Sequence, residues 1–169
     1  MAGKIQRFLK HHWLDEADAR RAVPPELLER LRQRVAASEK RHSGEIRIYV
    51  EAGLPTSYLL RNATARERAV AMFAKLRVWD TEHNNGVLIY LLLAEHAIEI
   101  VADRGLSRRV PAHDWQAMVQ HMGAAFREGR FEDGLTQALA EVSAVLVQHF
   151  PLAEGEANPN ELPDEPSIG

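Results

Sequence analysis

The sequence predicts an α/β fold, a three-layer sandwich in which a central mixed sheet of three to four strands is flanked by helices on both faces. Three observations carry this. Glu45 to Ala52 alternates Ile46, Ile48 and Val50 with Arg47, Tyr49 and Glu51, the period-2 pattern of a half-buried strand. Val87 to Leu93 is apolar at every position, as expected of a central strand covered on both sides. Apolar stripes at helical spacing lie before, between and after these runs, the element order from which layered α/β domains are built.

The 169 residues, 46% of them hydrophobic, suffice for one domain with its own core plus extensions. Residues 1–23 read as a basic amphipathic helical extension, 24–152 as the α/β domain and 153–169 as an acidic, proline-containing tail, extended or disordered. The chain has no cysteine, which removes disulfides, thiolate nucleophiles and cysteine zinc sites and suits a reducing compartment. No signal-peptide pattern opens the chain, and the longest apolar run, Val87 to Ala94, has eight residues against the roughly 20 that a spanning helix needs. A cytoplasmic address is the expectation.

The net charge of −3 hides a gradient from a basic start to a tail with five acids and no base. That gradient is too shallow to imply nucleic acid as a partner.

Ile5, Phe8, Leu9 and Trp13 recur at helical spacing opposite Lys4, Arg7 and Lys10. Such a helix either packs onto its own domain or makes peripheral contact with a membrane surface or protein partner through residues 4–14. Pro24 and Pro25 then favour a helix start, and Leu27, Leu31 and Val35 form a stripe running to the basic end Lys40-Arg41-His42, with Gly44 as a stop.

After the turn Gly53-Leu54-Pro55, Ala63 to Leu76 places Ala69, Val70, Phe73 and Leu76 on one face of a crossover helix. Ala97 to Ala102 is a third strand, separated from the second only by Ala94-Glu95-His96, which predicts an antiparallel hairpin. Two helices close the domain, Ala112 to Arg127 and Phe131 to Phe150, with Gly129 as the stop between them.

Chain direction predicts where the polar loops meet. Strands one and two, joined by a helix, run parallel, so both begin at one end of the sheet, and the hairpin returns the end of strand three to that end. His42, Ser43, Glu45, Asp80, Glu82, His83, Asn84, Asn85, Asp103 and Arg104 should therefore gather there. The set is rich in oxygen, the ligand type preferred by calcium over zinc or copper. Asn84-Asn85-Gly86 is equally ordinary turn chemistry, so a ligand-binding edge and a structural turn both stand.

Of eight histidines none lies in an H-x-x-x-H or H-E-x-x-H pattern, and most, including His11, His12, His121 and His149, are expected at bland surface positions. His42 and His83 are the exceptions singled out. No nucleophile elbow, phosphate loop or nucleotide-binding glycine turn is present.

Taken together, SGEIRIYVE, the Asn85-Gly86 entry into NNGVLIYLLL, IEIVADRGL with Gly105 after strand three, and the joint from Phe126 to Leu135 in FREGRFEDGLTQAL resemble the TPM domain over residues 26–150. This module is shared by thylakoid photosystem-repair proteins, bacterial envelope proteins and an animal receptor-accessory protein. The tail from Asn158 to Asp164 is similar to that of a short soluble proteobacterial branch. The resemblance implies the same three-layer fold, with a fourth edge strand in a segment otherwise read as loop.

It further implies calcium or another divalent cation as cofactor, and weak acid-phosphatase activity, with acidic loop-edge residues as the groups concerned. Here Asp103-Arg104-Gly105-Leu106 stands where members carry Gly-Tyr-Gly-Leu. Val110-Pro111-Ala112 stands where a Leu-Pro-Asp begins the next helix, although Asp114 follows two residues on.

Two functions follow. In the first, the chain is a non-catalytic interaction or accessory module for membrane or envelope proteins, working through its polar edge, basic helix or tail. In the second, it is a metal-assisted phosphatase in which Asp80, Asp103 and Asp114 hold the cation and Arg104 clamps the anion. A small-ligand sensor is a third, lesser reading.

Overall fold

The structure, a computed structural model, describes residues 2–169. Helices α1 (Ala2–Trp13), α2 (Glu16–Ala22) and α3 (Pro25–Glu39) precede strand β1 (Glu45–Glu51). Helices α4 (Thr56–Leu60) and α5 (Ala65–Lys75) lead to β2 (Gly86–Leu92), and a single 3₁₀ turn, Leu93–Glu95, to β3 (Ala97–Ala102). The short α6 (Arg104–Ser107), then α7 (Ala112–Arg127) and α8 (Phe131–His149), precede β4 (Ser167–Ile168).

Local chemistry sets the boundaries. Asp15 and Thr64 each close a capping box, with Asp18 and Glu67, and so start α2 and α5. Gly129, at φ +74°, ends α7: its N–H donates to Phe126 O and that of Arg130 to Ala125 O, the two bonds of a Schellman stop. Gly134 then lets α8 lie against the Phe126 ring, where a Cβ would come within 2.6 Å of a ring carbon.

The sheet order is β3-β2-β1-β4. β1 pairs parallel with β2 from Glu45↔Gly86 to Glu51↔Leu92, and β2 antiparallel with β3 from Val87↔Ala102 to Leu92↔Ala97. The fourth strand comes from the tail: Ser167 and Ile168 pair parallel with Tyr49 and Val50. The tail is thus extended chain that returns to the sheet, with Leu162 buried.

One face of the sheet, carrying Ile46, Ile48, Val87, Ile89, Ile98 and Ile100, packs on α2, α3, α7 and α8. The other, carrying Tyr49, Leu88, Tyr90 and Val101, packs on α5 and Leu162. This explains the unbroken apolar run of β2.

It also corrects the reading of β1 as half-buried, since all seven of its residues are buried. The polar set Glu45, Arg47, Tyr49 and Glu51 faces the layer made by α5 and the tail rather than water. Burial there requires partners. Arg68 of α5 supplies a paired charge to Glu51 at 2.6 Å, and the Tyr90 hydroxyl donates to the same carboxylate at 2.6 Å.

Candidate functional site

The loops meet at the end of the sheet that chain direction selects. Asp103 N–H donates to Gly86 O (2.9 Å), Gly105 N–H to Asn84 O (2.8 Å) and Arg104 Nε to Asn84 Oδ1 (2.9 Å). Glycine is what permits the approach. A Cβ at Gly86 would lie 2.0 Å from Val78 O, and one at Gly105 would lie 2.4 and 2.6 Å from the carbonyls of Asn84 and His83. Asn84 takes the left-handed conformation at φ +51°. Asn85 is fully buried; its N–H donates to Thr81 Oγ1 and its Nδ2 to Ser43 Oγ. The Asn-Asn-Gly segment is a packed joint.

The acids at this end serve separate partners. Asp80 accepts from Arg77 (2.6 Å) at the surface, Asp103 caps α6 by accepting from Arg104 N (2.7 Å), and Asp114 lies beside His113 (3.1 Å) on the first turn of α7. Glu82 contacts the tail, its N–H donating to Glu161 Oε2. Calcium needs six to eight converging oxygens. Among the described residues no group of three or more His, Asp or Glu side chains is placed to hold a metal ion, and Asp80, Asp103 and Asp114 are not brought together as one ligand set. One oxygen each on Glu45, Asn85 and Asp103 is buried without a donor.

His83 sits on the rim of an open groove of about 680 Å³ with Ser43, Glu82, Arg109, His149 and Glu161. Arg109 is engaged there: Nη1 donates to His149 O (2.6 Å) and the guanidinium lies 4.4 Å over the Phe150 ring.

His42 and Glu45 are not exposed at the loop end at all. His42 Nδ1–H donates to Gly44 O (3.1 Å), leaving Nε2 to accept from the Ser38 hydroxyl (2.7 Å). Burial pushes its pKa down to about 4, so the ring is neutral. A serine hydroxyl on an imidazole is the beginning of a nucleophile and base pair. At 3% and 0% exposure, with a main-chain carbonyl in the place of an orienting acid, this one is a core contact.

Glu45 Oε2 accepts from Leu162 N (3.2 Å), and burial raises its pKa. Glu39, at the end of α3, accepts from Ile46 N (2.9 Å); burial, reinforced by the negative charge of Glu45, pushes its carboxyl up to about 9. Arg47 donates to the carbonyls of Pro163 and Glu165 and to Ser167 Oγ. Asn158 Nδ2 donates to His42 O and Gly44 O. These side chains sew the tail to β1. The sequence shows Arg47 only as part of the alternating polar side of β1, and nothing in the spacing of α3 singles out Glu39 at its end.

At the other end of the chain α1 is docked by its polar face. Arg7 donates to Glu95 Oε1 (2.7 Å), Asn62 Oδ1 and Ala63 O. His11, expected at the surface, is buried: Leu54 N–H donates to its Nδ1 (2.9 Å), which leaves Nε2–H facing Glu95 Oε1 (3.0 Å). The hydrogen bond from His11, then that from Arg7, hold the Glu95 carboxyl below its ordinary value. Gly53 makes room, since a Cβ there would lie 2.6 Å from His11 O.

At about 100° per residue, Ile5, Leu9 and Trp13 point directly away from Arg7 and His11. They are 63%, 49% and 80% exposed. Leu60, on the neighbouring α4, is 77% exposed.

The TPM domain model matches residues 17–145. The chain belongs to the TPM domain family. Among solved structures it is similar to the BA42 protein from the psychrophilic bacterium Bizionia argentinensis, with 26% identity over 87% of this chain and 95% of that one and a TM-score of 0.73. The N-terminal domain of a protein from P. gingivalis shares the fold, at 18% identity over 83% and 94% of the two chains and a TM-score of 0.61. A search of the curated proteins finds no match. The TPM match begins within α2 and stops in α8, so α1 and the tail strand lie outside it, and both are packed against the TPM core.

Proposed function

We propose that this TPM chain is a non-catalytic interaction module that seats on an anionic membrane surface through α1 and serves there as an accessory to membrane or envelope proteins. The observation that carries the reading is the inverted docking of α1. A helix that covers its own domain turns its apolar stripe inward, whereas here Arg7 and His11 turn inward and Ile5, Leu9 and Trp13 outward. That is the geometry of a helix lying in an interface with its apolar side down and a folded domain above it.

Lys4 and Lys10, both exposed, add attraction to anionic lipid. Such lipid marks the cytoplasmic leaflet, which agrees with a chain without cysteine. No described helix is long and apolar enough to cross a membrane, so contact would be peripheral. The phosphatase reading gains nothing from the loop end, where Asp80, Asp103 and Asp114 are engaged separately.

Co-sedimentation with vesicles tests the proposal. The full chain should bind vesicles containing phosphatidylserine more tightly than pure phosphatidylcholine. The triple variant Ile5→Ser, Leu9→Ser, Trp13→Ser should bind at least about tenfold more weakly, a modest part of the roughly 1.5–3 kcal/mol that each such side chain gives on full burial. Its melting should be unchanged, because all three positions are exposed. Equal binding by parent and variant would refute the proposal.

A further inference from the structure

A second surface lies on elements that share no residue with α1. β3 is the terminal strand on its side of the sheet, with α5 against one face and α7 against the other. Between them, along the strand edge, runs a groove of about 420 Å³. Antiparallel pairing fixes which main-chain groups face it. Asp103 N–H is bonded to Gly86 O, so by alternation Glu99 and Val101 also point to β2, and Ile98, Ile100 and Ala102 point outward.

Side chains already answer two of the outward carbonyls: Arg66 donates to Ile100 O, and Ser107 Oγ to Ala102 O. The N–H groups of Ile100 and Ala102 point to the same side, where Ile100, at 2% exposure, lies beneath the Arg66 side chain.

The groove wall supplies further groups of the same kind. Trp115 lines it, is 91% buried by its 9% exposure, and its indole N–H has no acceptor. Gln116 and Gln120, one turn apart on α7, bring two carboxamides, and Ile100, Val110 and Val119 an apolar floor. The charges present, Arg66 and Glu99, lie 3.6 Å apart and cancel. A site with surplus N–H donors, carboxamides, apolar walls and no net charge is complementary to an uncharged peptide main chain, and mismatched to a free carboxylate, phosphate or ammonium group.

We propose that the β3 edge and α7 form a docking slot for an uncharged, extended, apolar segment of a partner protein, which adds to the sheet as a strand beside β3. Arg66 is the guard of this edge. It occupies the carbonyl that an added strand would use, and its half-exposed side chain has to leave that carbonyl and Glu99 before a strand can pair there. Trp115 offers its N–H to a carbonyl of the incoming segment.

The test uses the full chain and the blocked pentapeptide acetyl-Thr-Val-Thr-Ile-Thr-amide, followed by residue-resolved NMR. Saturable shifts are expected at the amides of Ile98 to Ala102 and at the Trp115 indole. Arg66→Ala should tighten binding about threefold or more by uncovering the edge, and Trp115→Phe should weaken it by a similar factor, each change being that of one hydrogen bond. A peptide with proline in place of the central threonine lacks a main-chain donor and should not bind.

Three results would each overturn the proposal. One is the absence of shifts in both the parent and Arg66→Ala. Another is equal binding of the proline peptide, which would make the groove a pocket for apolar side chains alone. The third is a concentration-dependent dimer whose Ile98 to Ala102 amides are already protected, which would assign the edge to a second copy of the chain. None of these outcomes bears on vesicle binding through α1.

Discussion

The two ends of the chain are attached to the TPM core in opposite senses. The C-terminal tail turns its useful chemistry inward: Leu162 is buried, main-chain carbonyls accept from Arg47, a main-chain N–H donates to one oxygen of Glu45, and β4 extends the sheet. The N-terminal helix turns Arg7 and His11 inward and leaves Ile5, Leu9 and Trp13 exposed to water. The first arrangement completes a core that would otherwise hold unpartnered charges. The second gains nothing for the isolated domain from Ile5, Leu9 or Trp13. On the proposed reading, the membrane surface covers the apolar side that the domain leaves exposed.

Removing the tail should break the comparison most severely. Deletion of residues 158–169 removes the main-chain partners of Arg47 and Glu45, uncovers the polar face of β1 and takes away buried Leu162, whose burial alone is worth roughly 1.5–3 kcal/mol. Urea unfolding of the truncated chain should show that loss, or failure to fold. An unchanged midpoint would mean that the tail contributes nothing to the core.

Titration sharpens the same contrast more gently. Glu39 releases its proton near 4.5 in the unfolded chain and near 9 in the folded one. The folded state therefore holds the extra proton between these values. The contribution of Glu39 is complete below about pH 4.5 and drains away as pH rises to about 9. His42 acts in the other direction, since its value falls from 6.5 to about 4 and stability is lost as pH drops through that window. Glu39→Gln mimics the protonated acid. It should flatten the decline between pH 7 and 9 and raise stability at pH 8 by about 1 kcal/mol or more. A variant less stable than the parent at pH 8 would show that Glu39 is ionised beneath the tail.

The smallest effect belongs to α1. Glu95→Ala removes the shared acceptor of Arg7 and His11, a pair whose side chains are about one quarter exposed on the Arg7 and Glu95 side. Global stability should fall by no more than about 1 kcal/mol. Hydrogen exchange should nevertheless quicken across residues 2–13 and not across α3. Uniform quickening over the whole chain would place α1 within the core's cooperative unit.

These contrasts also show which parts of the molecule were legible in the sequence. The unbroken run of β2, the alternation in β1 and the glycine after α7 specify layers, direction and a stop through local rules. Chain direction alone brought Asn84, Asn85 and Asp103 to one end. Arg47 and Glu51 were misread because period-2 alternation reports only that two faces differ. It does not report that a segment more than 100 residues away, without periodicity of its own, covers the polar one.

The same limit applied to α1. The spacing of Ile5, Leu9 and Trp13 identified an amphipathic helix, but which face docks depended on Glu95, 84 residues from His11. The loop-end acids were conspicuous as residue types, and their actual partners, Arg77, Arg104 N–H and His113, lie so close in sequence that they read as background.

The emission of Trp13 tests the account most directly. In a chain carrying Trp79→Phe and Trp115→Phe, Trp13 is the sole indole and begins in water at 80% exposure. Addition of phosphatidylserine vesicles should shift its emission to the blue and make it quenchable by bromine-labelled acyl chains, with no comparable change on pure phosphatidylcholine. Emission that stays at the wavelength of a water-exposed indole while the protein co-sediments with the vesicles would contradict the account, because the chain would then be held by some surface other than the outward stripe of α1.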